Sequence, residues 1–156
     1  MLQTSTVKES TLELLRRLQA EPLLATARLV GGTALSLQMA VCEDGVRLAS
    51  VTDIAAMKMH AIINSGKRPK DFVDIAFLSM RYSYNQIKQL LLRRYPAYDP
   101  IMPDKAIIYF GDIDDLLVPE IRMLGYQFDI QAVEKRIIKM TDYPDKVYST
   151  APLKKQ

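Results

Sequence analysis

Apolar residues recur at helical spacing through most of this chain, and the breaks between the recurrences are sharp. In residues 6–20, Leu12, Leu15 and Leu18 fall on one side of a helix while Lys8, Arg16 and Gln19 fall elsewhere, and Pro22 ends the run. Residues 27–30 form a short apolar stretch that predicts a strand. It leads through Gly31 and Gly32 into a helix over 32–40 opened by Thr33. Glu43-Asp44-Gly45 predicts a turn, and the alternation from Val46 to Val51 predicts a second short strand. Thr52 is then an N-cap for a helix reaching about Asn64, where Ser65-Gly66-Lys67-Arg68 breaks it. Pro69 opens the next helix at a favoured first position, with Asp71 near its positive end. Another helix is predicted over 84–95. Pro96, Pro100 and Pro103 predict an irregular connector, Asp129 caps a last helix to about Met140, and the end from Pro144 reads as a loose tail.

Five or six helices against two short strands predict an α-rich α+β protein. Residues 1–82 are read as its core and 83–156 as a helical C-terminal region packed on it, within one folding unit. The net charge of +3 permits contact with nucleotides or nucleic acid but does not require it. One cysteine, Cys42, and one histidine, His60, leave no disulfide framework, so metal chemistry would rest on carboxylates. Charged residues interrupt the N-terminal apolar run, and no segment approaches the ~20 apolar residues of a membrane span. The expected location is the cytoplasm.

A strand, two glycines and a helix N-terminus make a corner where backbone N–H groups converge on an anion, although paired glycines also serve as plain turns. Lys58 lies between Ile54 at i−4 and Ile62 at i+4, with Ala61 at i+3. A lysine inside an apolar stripe either snorkels to the surface or is aimed at an anion. His60 and Asn64 share another edge of that helix and read as a solvated polar face. Asp71 and Asp74, three apart, share one face of the following helix. Asp71 is explained by the helix dipole, whereas Asp74 sits deeper among apolar neighbours and invites a partner such as Lys58, Lys70 or Arg68. Asp112, Asp114 and Asp115 read as a solvated loop or helix start. Arg93-Arg94-Tyr95 and the Lys135, Arg136, Lys139 face read as solvated, with tRNA or another acidic partner as the other reading.

The segments LVGGTALSLQ, DIAAMKMHAI, GKRPKDFVDIAFL and DKAIIYFGDIDD, in that order, resemble the nucleotidyltransferase AbiEii toxin family over residues 12–140. The resemblance implies a minimal nucleotidyltransferase fold and a link to type IV toxin–antitoxin and phage-defence modules. It places Gly31, Gly32, Thr33, Lys58, Asp71 and Asp74 at a nucleoside triphosphate, with Lys58 touching phosphate. It also implies Mg²⁺ as cofactor if the protein is active, and a cognate antitoxin, a full-length relative or tRNA as partner.

One departure from the family pattern bears directly on activity. Family members continue after the glycine-motif helix into strands carrying two Mg²⁺-binding aspartates, whereas here Ala40 leads almost directly into Glu43–Ser50. Transfer needs a metal to bridge phosphate oxygens, which glycine N–H groups and one lysine cannot replace. The expectation is therefore a truncated core with no metal site, no confident catalytic residue and little or no transfer. The rival is an active enzyme using Glu43, Asp44 and Asp74 as ligands, and a third reading is a pure interaction module. Apolar helix faces that the missing strands would cover predict a homodimer or a rearranged helical core.

Overall fold

The computed structural model describes residues 9–24, 49–121, 123 and 125–156, and the regular structure among them is helical. Among them lie six α-helices: α1 Glu9–Ala20, α2 Val51–Asn64, α3 Pro69–Leu78, α4 Tyr84–Arg94, α5 Met102–Ile107 and α6 Ile130–Asp142. Two 3-10 turns, Pro22–Leu24 and Asp115–Glu120, complete the regular structure described. The backbone divides into two compact units, Met1–Ile54 and Ala55–Gln156.

The α+β expectation is corrected here. No strand occurs among the described residues, where the sole extended pairing is an isolated antiparallel bridge between Tyr126 and Lys155. Of the predicted strand over 46–51, Ala49 and Ser50 are irregular and Val51 is already helical. The reason is a capping interaction. The Ser50 hydroxyl accepts from the Asp53 backbone N–H at 3.0 Å and donates to the Asp53 carboxylate at 2.7 Å, while its carbonyl accepts from Ile54 N–H at 2.9 Å. Ser50 is therefore the cap in place of Thr52, and α2 begins two residues earlier than the sequence predicts. The strand predicted over 27–30 and the Gly31-Gly32-Thr33 corner lie outside the described residues.

In the first unit, α1 buries Leu12 and leaves Leu18 exposed; Glu13 and Arg17 pair one turn apart on its outer side. In the second unit, α2 ends at Asn64 and is followed by Gly66, whose φ of +62° is the left-handed conformation that glycine adopts without steric cost after a helix. Pro69 then starts α3 at a position that lacks an intrahelical acceptor in any case. α3 is the centre of this unit: Phe72, Ile75 and Ala76 are fully buried, and the helix packs on α6, which contributes Val133, Ile137 and Met140.

α4 carries a capping box in which Gln86 N–H donates to the Ser83 hydroxyl at 3.3 Å and Ser83 N–H donates to Gln86 Oε1 at 2.9 Å. Two expectations for the second unit are revised. The proline-rich connector contains α5, with Pro103 in its first turn where the missing N–H does no harm. The tail is also tied down. Tyr148 N–H donates to the Ser79 carbonyl at 2.9 Å, Gln127 N–H to Lys154 O and Gln156 N–H to Gly125 O, while Tyr148 and Leu153 are buried. Among the described residues no helix is long and apolar enough to cross a membrane.

Candidate functional site

The predicted site residues that fall within the described chain converge. α2 and α3 are joined by residues 65–68, and their facing sides bring the Lys58 ammonium to 2.7 Å from Asp71 Oδ1 and 2.6 Å from Asp74 Oδ2. The three-residue spacing of the aspartates puts both carboxylates on one face of α3, and Lys58 reaches that face from the apolar stripe of α2. Lys58 is 7% exposed and Asp71 3% exposed, so the lysine is aimed at buried anions and does not snorkel. Asp71 is the deeper acid and Asp74 the shallower, the reverse of the sequence expectation. Asp71 stands at the third position of α3, where sequence alone offered the helix dipole as a full explanation. The guanidinium of Arg68 lies 3.9 Å from its second oxygen.

Inside the site one ammonium faces two carboxylates, with the exposed Arg68 as the second cation at its rim, and Asp74 Oδ2 touches the ammonium without any donor pointing at it in hydrogen-bond geometry. Burial pulls the Lys58 pKa down, but the fields and hydrogen bonds of Asp74 and Asp71 outweigh it and hold the lysine above its ordinary value. Asp74 is moved up by burial, with the neighbouring Asp71 charge adding to the rise, against the opposing pull of Lys58 and Arg68. The two partners thus differ over how favourable the contact is. The lysine has the clearer position, since it gains two anionic neighbours, whereas Asp74 gains half a partner and a like charge.

A divalent cation does not fit between the two aspartates as they stand, because the Lys58 ammonium occupies that space. Among the described residues no group of three His, Cys, Asp or Glu side chains is placed to hold a metal ion. Asp112 and Asp114 lie against the 65–68 segment, where Asp114 N–H donates to the Lys67 carbonyl at 3.0 Å, and Asp114 caps the second 3-10 turn through the Leu116 N–H at 3.0 Å. His60 is not a solvated edge. Its ring stacks on Tyr95 with centroids 4.2 Å apart, and its Nδ1 lies 2.7 Å from the Tyr98 hydroxyl. Arg94 sits over the Tyr95 ring, so the residues 93–95 read as solvated are partly engaged.

Arg136, assigned to a solvated face, is buried. It donates to the Ser79 hydroxyl at 3.0 Å and to the Thr150 carbonyl at 3.0 Å, and it lies 4.4 Å over the Tyr148 ring. A second polar cluster, missed in the sequence, joins α4 to α5. Lys88 donates to both oxygens of Asp104 and the Tyr84 hydroxyl donates to Oδ1 at 2.8 Å. Only the heptad-like placement of Tyr84 and Lys88, four apart on one face, could have signalled it.

A helical unit organised around a buried lysine held by two aspartates of the next helix is the class of protein that fold and site define. Residues 42–143 match the family described as nucleotidyl transferase AbiEii toxin, type IV TA system. The match spans more than half of the chain and contains Lys58, Asp71 and Asp74, and the protein belongs to that family. Neither the curated proteins nor the solved structures contain a match.

Proposed function

We propose that this AbiEii family member binds the phosphates of a nucleotide without carrying out efficient nucleotidyl transfer. The nucleotide-binding set in this reading is Gly31, Gly32, Thr33, Lys58, Asp71 and Asp74, with no catalytic or metal-ligating residue assigned. The observation that supports it is the engagement of Lys58. Its ammonium lies 2.7 Å from Asp71 Oδ1 and 2.6 Å from Asp74 Oδ2, in the space between the two acids that a bridging Mg²⁺ would need. Nucleotidyltransferases of this family generally use a nucleoside triphosphate with Mg²⁺. Lys58 is 7% exposed, so its contact with a phosphate requires the triad to open, and nucleotide binding is coupled to that rearrangement.

Incubating the protein with labelled nucleoside triphosphates, Mg²⁺ and a tRNA pool tests the claim of lost transfer. The expected result is calorimetric binding of at least one nucleotide with no label transferred. Label transfer that disappears in Asp74→Ala identifies an active transferase and overturns the reading. The family's toxin–antitoxin description favours one further reading, in which a cognate antitoxin is the ligand. No heat with any of the four nucleotides, together with a stable complex with the product of an adjacent reading frame, selects it.

A further inference from the structure

The end of α6 and the chain after it form a depression of about 390 Å³, lined by Arg136, Lys139, Tyr143, Lys146, Tyr148 and Thr150. Three of these six side chains are cations and none is an acid. Arg136 is 9% exposed, yet every partner of its guanidinium is neutral: the Ser79 hydroxyl, the Thr150 hydroxyl and carbonyl, the Ala151 carbonyl and the Tyr148 ring. Within the described residues no ion pair involves Arg136, Lys139 or Lys146. Lys146 is held over two aromatic faces, 5.2 Å from the centre of the Tyr148 ring and 5.7 Å from that of Tyr143. Asp142 is close enough to act on the Tyr148 hydroxyl but does not line the depression.

A buried guanidinium without a counter-charge is costly, and an anion entering the depression supplies that charge. The chemistry of the lining selects among anions. A guanidinium fork, two ammonium groups and the Thr150 hydroxyl belong to residues lining one depression, a set of donors that suits a tetrahedral, multiply charged group better than a flat carboxylate. We propose that this depression is a binding site for a phosphate group, formed by Arg136, Lys139, Lys146 and Thr150. It shares no residue with the Lys58 triad, so it stands or falls apart from the nucleotide reading above. The phosphate belongs either to a small free anion or to the backbone of an RNA strand, for which Tyr143 would offer a stacking face.

The test is calorimetric titration of the full chain with inorganic pyrophosphate, comparing wild type with Lys139→Gln/Lys146→Gln. Both lysines are exposed, so the double variant is expected to keep its melting temperature without ligand. Saturable binding to wild type that weakens about tenfold or more in the double variant is the expected result, the size of at least one lost charge-assisted contact. Lys135→Gln, exposed on α6 outside the lining, should bind as wild type does. Absence of saturable binding to wild type, or equal affinity in the double variant, overturns the proposal. Displacement of pyrophosphate by a short RNA oligonucleotide identifies a backbone phosphate as the occupant; failure of RNA to displace it identifies a small anion.

Discussion

Removing the Lys58 ammonium by Lys58→Met should destabilise the protein more than any other single polar substitution in the described chain. Each contact with Asp71 or Asp74 has a gross Coulomb energy of roughly 6 kcal/mol at an effective dielectric of 20 and a separation near 2.7 Å. Desolvation of the three ions cancels most of that in wild type. Methionine fills a similar volume but leaves two carboxylates together, one of them almost fully buried, so the desolvation cost remains without the attraction. The expected loss is about 3–5 kcal/mol, the range for breaking a buried pair by removing one partner.

Urea unfolding followed by helical circular dichroism measures that loss. The triple variant Lys58→Met/Asp71→Asn/Asp74→Asn should recover about half of it or more, because no unpaired charge remains. Lys58→Met should also lose less at pH 4–5 than at pH 8, since Asp74 already has a raised pKa and protonates readily. A loss under about 1 kcal/mol in Lys58→Met, or no recovery in the triple variant, refutes the idea that the ammonium compensates buried charge.

Further outcomes follow from the same contacts. Arg136→Met removes the link from α6 to Ser79 and to the tail, and should cost about 2–3 kcal/mol and open a tryptic cut after Lys146 that wild type resists. Ser83→Ala removes the cap of α4 and should cost about 1 kcal/mol in thermal unfolding. The Lys58 pKa lies above 10.5 in the folded chain, so its contribution is fully present below pH 10.5 and is lost as pH rises through the folded value; a melting temperature that falls above that pH in wild type and not in Lys58→Met is expected. Burial opposes ionisation of Asp104, but hydrogen bonds from Lys88 and Tyr84 hold its pKa below 3.8, so its contribution is present above that value and lost as pH falls through the lower folded one. Asp104 is well exposed, so Asp104→Asn should cost under about 1 kcal/mol near neutrality, and the difference should shrink below pH 4.

Sequence by itself determined the family and most helix ends. The apolar spacing, Pro22, Pro69, the Ser65-Gly66 break and Asp129 are local signals, and each acts on backbone groups within four residues of itself. Asp129 does accept from Ala132 N–H, and Pro69 does open α3. The four ordered motifs that carried the resemblance fall largely within the matched residues 42–143, with the glycine motif before them.

Tertiary structure decided what local signals leave open. The alternation over 46–51 fits a strand only when a neighbouring strand pairs with it, and the Ser50 cap took Val51 into α2. Whether Lys58 snorkels or pairs depends on the side that α3 presents, and the turn at Gly66 presents Asp71 and Asp74. Arg136 belongs to an amphipathic helix whose sequence allows it to face water, yet packing of α6 on α3 turned it inward to Ser79 and gathered the tail around it. A charge's surroundings are set by residues distant in the chain, so burial and pairing are read only once the helices have packed.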